Sequence, residues 1–176
     1  MKKVLIQFDG GNFYKKVKNL IPELHLTNFD YSGFSNSLSP RTTNISTYYV
    51  GEIKKFKNNK KSQILYSGQQ SLFLNLRSQN IDIKLGYILF SGGEYHEKGV
   101  DVQIAVDMVR GAINREYDIC YLISSDTDLL PAIKDAQTYG RKIIYVAFEN
   151  NISRALLKNC SSTIIIKKKD IIKFKK

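Results

Sequence analysis

The chain has 176 residues, of which 43% are hydrophobic, and this is enough to fill the core of a single domain spanning residues 1–176. Its longest apolar runs are much shorter than the roughly 20 residues that a membrane helix needs, so the sequence argues against a membrane protein. No apolar segment of signal-peptide length follows the first lysines, and we therefore expect a cytoplasmic protein. The 2 Cys and 2 His residues argue against a disulfide framework and a zinc site.

The charge of the chain is strongly positive. Its 27 Lys and Arg residues against 16 Asp and Glu residues give a formal net charge of +11. This balance favours a polyanionic partner, above all nucleic acid. A composition rich in Lys, Asn and Ile can also reflect the base composition of a genome, and this alternative stays open on charge alone.

The first half of the chain predicts two strands and two helices. A short apolar run at residues 4–8 ends in Asp-Gly-Gly and is typical of a strand buried on both faces of a parallel sheet. An amphipathic helix follows at residues 12–20. Residues 23–43 lack periodicity and predict a long loop, which could act as a lid over a site. Residues 45–53 are rich in β-branched and Tyr residues and predict a second strand, after which apolar residues at helical spacing predict a helix.

Strands and helices continue to alternate in the second half. A strand at residues 81–90 leads through a Ser-Gly-Gly turn to a helix at residues 99–114. The remaining elements are a strand at 117–123, a helix at 128–139, a strand at 141–148, a short helix at 153–159 and an apolar segment at 163–166. This alternation predicts an α/β fold, a three-layer Rossmann-like domain with a mainly parallel central sheet. The dinucleotide-binding glycine signature is absent from the sequence, which argues against a nicotinamide or flavin enzyme.

The first acidic candidate, Asp9, lies in the Phe-Asp-Gly-Gly-Asn segment where the first strand ends. In an open α/β sheet, ligands bind in the crevice outside the carboxyl ends of the strands, so we expect its carboxylate at the mouth of that crevice. The structural alternative for Asp9 is a helix cap. Asn12 is the better cap by position, which leaves Asp9 free for a functional role.

The second candidate, Asp101, ends a Lys-Gly-Val-Asp segment and shares a helical stripe with apolar residues. A buried carboxylate needs a partner, and a divalent cation shared with Asp9 would supply one. The alternative, given equal weight, is a first-turn acid favoured by the helix dipole. Asp107, six residues further on, is expected to form a salt bridge, with Arg110 or Arg115 as candidate partners, or to support the metal ligands without binding the ion itself.

The third motif, Ser-Ser-Asp-Thr-Asp, occupies residues 124–128, after a predicted strand and at the start of a helix. In the structural interpretation, one of its acids, Asp126 or Asp128, is merely a helix cap. Two acids on one turn can also act as cap and ligand together, and their mutual repulsion favours a nearby cation. Since the first and fourth predicted strands would be central neighbours in a doubly wound sheet, we expect the acids of all three motifs to converge.

Carboxylate oxygens without His or Cys suit Mg²⁺ or Mn²⁺. The expected chemistry is phosphodiester hydrolysis, in which one or two ions activate water while Lys and Arg hold the strand by its phosphates. The candidate catalytic residues and metal ligands are Asp9, Asp101, Asp126 and Asp128. The candidates for contact with the substrate are Asn12, Ser124, Ser125 and Lys98.

Together, the three motifs resemble those of the NYN domains of the PIN-like nuclease superfamily, and within it the bacterial LabA-like group. The resemblance covers nearly the full length and rests on residues 8–12, on residues 98–101 with Asp107, and on residues 124–128. It implies a PIN-like fold and a metal-dependent ribonuclease with the four Asp residues named above as its acidic residues. One departure is Ser125, which stands where the family usually has Gly and is expected to narrow access to the site.

We therefore predict an endoribonuclease, dependent on Mg²⁺ or Mn²⁺, that acts on single-stranded or structured RNA. DNA is an alternative substrate, and homo-oligomerisation stays open. The principal alternative function is a non-catalytic RNA-binding or regulatory module on the same fold. A phosphatase for a small phosphoester is a third interpretation, and the net charge of +11 argues against it because a small substrate needs no extended basic surface.

Overall fold

A computed structural model of the protein describes residues 2–40, 42–91 and 94–176. The strands are β1 (Lys3–Asp9), β2 (Thr43–Glu52), β3 (Asp82–Ser91), β4 (Glu94–Lys98), β5 (Ile119–Ile123), β6 (Lys142–Phe148) and β7 (Ser162–Ile166). The helices are α1 (Gly10–Leu20), α2 (Tyr31–Leu38), α3 (Lys60–Ser78), α4 (Val100–Ile113), α5 (Leu130–Thr138), α6 (Arg154–Asn159) and α7 (Lys168–Ile171). Short 3-10 turns lie at Leu26–Asn28, Thr127–Leu129 and Ile172–Phe174.

Within these described ranges, the seven strands form one sheet in the order β4-β3-β2-β1-β5-β6-β7. Neighbouring strands are parallel throughout, except that β4 runs antiparallel to β3. The predicted three-layer α/β fold with a mainly parallel sheet is confirmed. β1 and β5 are neighbours at its centre, with Phe8 opposite Ile123, so their carboxyl ends reach the same edge.

Two hydrophobic clusters cover the two faces of this sheet. Alternate residues of β1 point to opposite faces, as Ile6 and Phe8 belong to one cluster while Leu5 packs against the other. The first cluster is rich in aromatic rings, which meet mostly edge to face, as Phe8 does with Phe13 at 5.5 Å between ring centroids. Burial on both faces explains why β1 is a nearly continuous apolar run.

The predicted loop and lid at residues 23–43 are wrong where the structure describes this segment. It contains the first 3-10 turn and α2, and its apolar side chains are in the core: Leu24, Leu26, Phe29, Tyr31, Phe34 and Leu38. Asp30 caps α2 by accepting a hydrogen bond from the backbone N of Gly33. The segment is too short for helical periodicity to stand out in the sequence, but burial of its aromatic rings fixes it in place.

Strand β4 was not predicted. Its sequence, Glu-Tyr-His-Glu-Lys, is polar and has no apolar alternation, as is common for strands at the edge of a sheet. The Ser-Gly-Gly turn that precedes it includes Gly92 and Gly93, which lie outside the described residues. Gly99 has a positive φ of 81° and turns the chain from β4 directly into α4. Among the described residues, no helix combines the length and apolar character that a membrane crossing requires.

Candidate functional site

Asp9 is the last residue of β1 and the N-cap of α1. Its carboxylate is 4% exposed and accepts hydrogen bonds from the backbone N of Asn12 at 3.0 Å and from Oγ of Ser124 at 2.7 Å. The prediction that Asn12 caps the helix is therefore wrong. The helix begins at Gly10, two residues earlier than predicted, because Asp9 caps it. A Cβ at Gly10 would lie 2.6 Å from the carbonyl oxygen of Tyr49, so only glycine fits there.

Ser124 connects the first and third motifs. Its side chain is buried, its hydroxyl donates to Asp9, and its Oγ accepts a hydrogen bond from the backbone N of Asp126 at 3.1 Å. Ser125 lies beside it and shares a hydrogen bond with the Tyr145 hydroxyl at 3.0 Å. Ser124 thus holds the end of β1 against the turn that follows β5.

Asp126 and Asp128 share the short turn after β5. Asp126 is the N-cap of the 3-10 turn and accepts a hydrogen bond from the backbone N of Asp128 at 2.9 Å. Asp128 itself is exposed to solvent. One of the two acids is therefore a cap, as the sequence alternative allowed, and both remain at the carboxyl edge of the sheet.

Asp101 lies in the first turn of α4 and is partly buried. Burial, followed by the negative charges of Asp9, Asp126 and Asp128, raises its pKa from 3.8 to about 6. Burial also raises the pKa of Asp9, against the hydrogen bonds from Asn12 and Ser124 that lower it. The acids of all three motifs lie at the carboxyl end of the sheet, because Asp9 ends β1, Asp101 lies in the first turn of α4, and Asp126 and Asp128 follow β5.

Glu97, on β4, is an acidic residue of this region that the sequence did not single out. One of its carboxylate oxygens accepts a hydrogen bond from the backbone N of Gly51. The other lies near Gly11, 3.1 Å from where a Cβ would be, and Asp9 Oδ1 lies 3.8 Å from that same point. Its charge raises the pKa of Asp9, after burial as the larger cause. No sequence signal pointed to Glu97, because its position depends on β4.

The donor set of this region fits a hard divalent cation. The acids present oxygen ligands, and burial, followed by the charges of neighbouring acids, raises the pKa of Asp101. Within the described ranges, no three His, Cys, Asp or Glu side chains are close enough to form a ready-made metal centre. An ion that keeps several of its waters, as Mg²⁺ does, needs only one or two direct carboxylate ligands.

Two other predicted residues lie at the margin of the acids. Asn12 is partly exposed in the first turn of α1, and its backbone N is held by Asp9. Lys98 is exposed at the end of β4, immediately before the turn into α4. Both are therefore on the same side of the sheet as the candidate acids.

Asp107 is separate from these acids and is paired with cations of the protein itself. Its buried carboxylate accepts hydrogen bonds from Lys84 Nζ and Arg110 Nη2, each at 2.6 Å, and from the Tyr49 hydroxyl at 3.0 Å. Arg110 is one of the two predicted partners, whereas Lys84 was not foreseen. The cluster ties α4 to β2 and β3 and has a structural role.

Comparisons with known proteins identify the family of the chain. The model of the NYN domain family matches residues 3–167. An uncharacterized protein of Methanocaldococcus jannaschii is 39% identical over 57 residues, which are 32% of this chain and 24% of that protein. A crystal structure of a protein of unknown function from Vibrio parahaemolyticus covers 94% of this chain and 93% of its own, with a TM-score of 0.70 and 22% identity, and this likeness concerns the fold alone. The family match spans most of the chain, and the protein therefore belongs to the NYN domain family.

Proposed function

We propose that the protein is a metal-dependent endoribonuclease that hydrolyses RNA phosphodiester bonds at the carboxyl edge of its sheet. The observation that supports this proposal is the position of acids from three distant motifs at the carboxyl end of the sheet of an NYN domain. We assign the protein to the LabA-like group of the family, as a single cytoplasmic domain spanning residues 1–176.

Asp9, Asp101, Asp126 and Asp128 would hold Mg²⁺ or Mn²⁺. Such an ion would supply Lewis-acid activation of a water molecule and would offset charge on the leaving oxygen. Ser124 fixes the orientation of Asp9 and of the turn that carries Asp126 through its two hydrogen bonds. These bonds hold the acids in place before the substrate binds.

The substrate side of the site is assigned to polar and cationic groups around the acids. Lys98 would hold a phosphate, because it is exposed beside the start of α4. Asn12 and Ser125 would orient phosphate oxygens or water. The net charge of +11 favours a long polyanion over a small phosphoester, and RNA is the polymer expected from the family, with DNA as an alternative.

A second candidate function is an RNA-binding or regulatory module without turnover. The observation that favours it is the capping of α1 and of the 3-10 turn by Asp9 and Asp126. These caps would give both acids a reason to be present even in a protein that does not cleave.

Cleavage of a labelled single-stranded RNA separates the two candidates. The wild-type protein is assayed with Mn²⁺, with Mg²⁺ and with a chelator, beside Asp126→Asn and a matched control, Asp135→Asn. Asp135 is an exposed acid of α5 outside the cluster. The nuclease proposal expects cleavage that needs metal, disappears in Asp126→Asn and persists in Asp135→Asn. RNA that is bound but stays intact under every condition would support the binding module.

A further inference from the structure

An apolar pocket of about 310 Å³ lies at the carboxyl end of β2, on the edge of the sheet that carries the acids. Its apolar walls are Ile53, Phe56, Leu65, Ile88 and Leu89. Three of these side chains are open to solvent, with exposed fractions of 50% for Phe56, 43% for Leu65 and 48% for Leu89. Apolar groups that are grouped and left open in this way often mark a binding site.

The loop that forms this pocket is held by side chains of α3. The buried Gln69 donates from Nε2 to the carbonyl oxygen of Gly51 at 2.8 Å and accepts from the backbone N of Ile53 at 2.9 Å. Ser62 Oγ accepts a hydrogen bond from the backbone N of Phe56 at 3.0 Å. These bonds fix both ends of the pocket wall, so the pocket is preformed.

The chain segment that supplies one wall of the pocket is strongly basic, and Lys54 itself lines the pocket. Residues 53–63 contain five lysines and no acid: Lys54, Lys55, Lys57, Lys60 and Lys61. All five are exposed, and none is in an ion pair with another residue of the described ranges. Apolar walls beside a cationic segment complement a ligand that has both flat apolar groups and closely spaced phosphates, as single-stranded nucleic acid does.

The pocket adjoins the candidate acids. A Cβ at Gly51 would lie 2.9 Å from Cγ1 of Ile88, a wall of the pocket, and 3.0 Å from Cγ of Glu97. Glu97 in turn extends to Gly11 beside Asp9. One row of side chains therefore separates the pocket from the acids, and a single strand can span both.

We propose that this pocket binds an unpaired base of a single-stranded RNA substrate, whose neighbouring phosphates lie on the lysines of residues 53–63. This inference rests on the proposed function, because it takes the polymer at the acids to be RNA. Phe56 provides the ring on which the base stacks. A paired base cannot enter, since its faces are covered by its neighbours in the duplex, so the pocket selects single strands.

The test is RNA binding in a chelator, which separates binding from cleavage. A labelled single-stranded oligoribonucleotide, the same strand with abasic positions and a duplex of the same sequence are titrated with protein by fluorescence anisotropy. The variants are Phe56→Ala, Phe56→Tyr, which keeps the ring, and Leu74→Ala, a matched control on the exposed surface of α3. We expect Phe56→Ala to weaken binding of the intact single strand about fivefold or more, and the other two variants to bind as the wild type does. The abasic strand should bind weakly to the wild type and lose nothing further in Phe56→Ala.

Three outcomes would overturn the base pocket. The first is equal affinity of wild type and Phe56→Ala for the intact strand, and the second is wild-type binding of the duplex as tight as that of the single strand. If RNA does not bind at all, the base pocket also fails, and an apolar protein segment becomes the occupant to test. Metal-dependent cleavage by the wild type, measured separately, would keep the nuclease proposal standing if the base pocket fails. Binding that depends on Phe56 without any cleavage would support the pocket and contradict the nuclease.

Discussion

Asp101 and Asp107 lie six residues apart on α4, yet their carboxylates have opposite electrostatic surroundings. Asp107 is buried and its carboxylate is matched by Lys84 and Arg110, both at 2.6 Å. Asp101 is in no ion pair with the other described residues, and its pKa is raised to about 6 by burial and by neighbouring acids. A carboxylate that is paired with cationic side chains of the protein stabilises the fold. Neighbouring carboxylates without such partners are suited to bind a cation from solution.

The largest expected effect separates these two acids by activity. Asp101→Asn removes a proposed metal ligand, and we expect metal-dependent cleavage of RNA to fall about 100-fold or more, since metal activation contributes several kcal/mol to catalysis. Asp107→Asn, assayed well below its melting temperature, should cleave within about tenfold of the wild type. Initial rates on labelled RNA give both values. Equal losses of cleavage activity in the two variants would contradict the distinction between a metal ligand and a structural acid.

The second effect concerns stability, to which Asp107 is expected to contribute more than Asp101. Asp107→Asn leaves Lys84 and Arg110 without their partner, and we expect the free energy of unfolding to fall by about 2 kcal/mol. This is less than a fully buried pair would lose, because the two cations are 38% and 57% exposed. Thermal denaturation should show a melting temperature lower by roughly 4 to 8 °C. A melting temperature unchanged from the wild type would contradict the structural role of Asp107.

A matched double-mutant cycle sharpens the same prediction. If Lys84 contributes mainly through Asp107, Lys84→Met combined with Asp107→Asn should cost about 1 kcal/mol less than the sum of the two single variants. Additive losses would assign the effect of Asp107 to Arg110 and Tyr49 instead.

The smallest effect is the pH dependence of the metal-free protein. The pKa of Asp101 is about 6 in the folded state against an ordinary 3.8, so the folded state binds this proton more tightly than the unfolded state does. Its contribution to stability is therefore full below about pH 4 and is lost as the pH rises through 6. We expect Asp101→Asn to remove this loss and to melt above the wild type by roughly 1 to 3 °C at pH 7 in a chelator, a modest gain because the side chain is partly exposed.

Measurements at two pH values give the control for this prediction. At pH 4 the wild-type carboxyl is protonated and resembles Asn, so the two proteins should melt together. A gain of the same size at pH 4 and pH 7 would show that the substitution acts through packing rather than through charge.

The sequence predicted the parts of the fold that depend on apolar runs and strand ends. β1, β5 and the acids that follow them were found because a continuous apolar run ended by Asp-Gly or Ser-Ser-Asp is local information. The order that places β1 beside β5 followed from the parallel α/β pattern, and it is confirmed. Of the two cationic partners of Asp107, Arg110 was predicted because it lies one helical turn away. Lys84 was not predicted because it is distant in sequence.

What the sequence missed depends on tertiary contacts. The segment of α2 and its neighbouring 3-10 turn is stabilised by aromatic packing between distant residues, such as Phe29 against Phe174. Its sequence shows no helical periodicity that would reveal these elements. β4 is a polar edge strand, and no local sequence pattern reveals its pairing with β3. The position of Glu97 could therefore not be predicted. The sequence favoured Asn12 as the N-cap by position, whereas the close approach of Tyr49 that requires glycine at position 10 depends on the fold.

The most direct test of the central claim is binding of Mn²⁺ by the chelator-stripped protein, measured by electron paramagnetic resonance without RNA. The wild type and Asp107→Asn are predicted to bind Mn²⁺ with similar affinity, and Asp101→Asn to bind at least about tenfold more weakly. In parallel, Mn²⁺ should raise the melting temperature of the first two proteins and not of the third. If the wild type binds no Mn²⁺ at millimolar-scale concentration, or Asp101→Asn binds as tightly as the wild type, the acids at the carboxyl edge of the sheet are not the metal site.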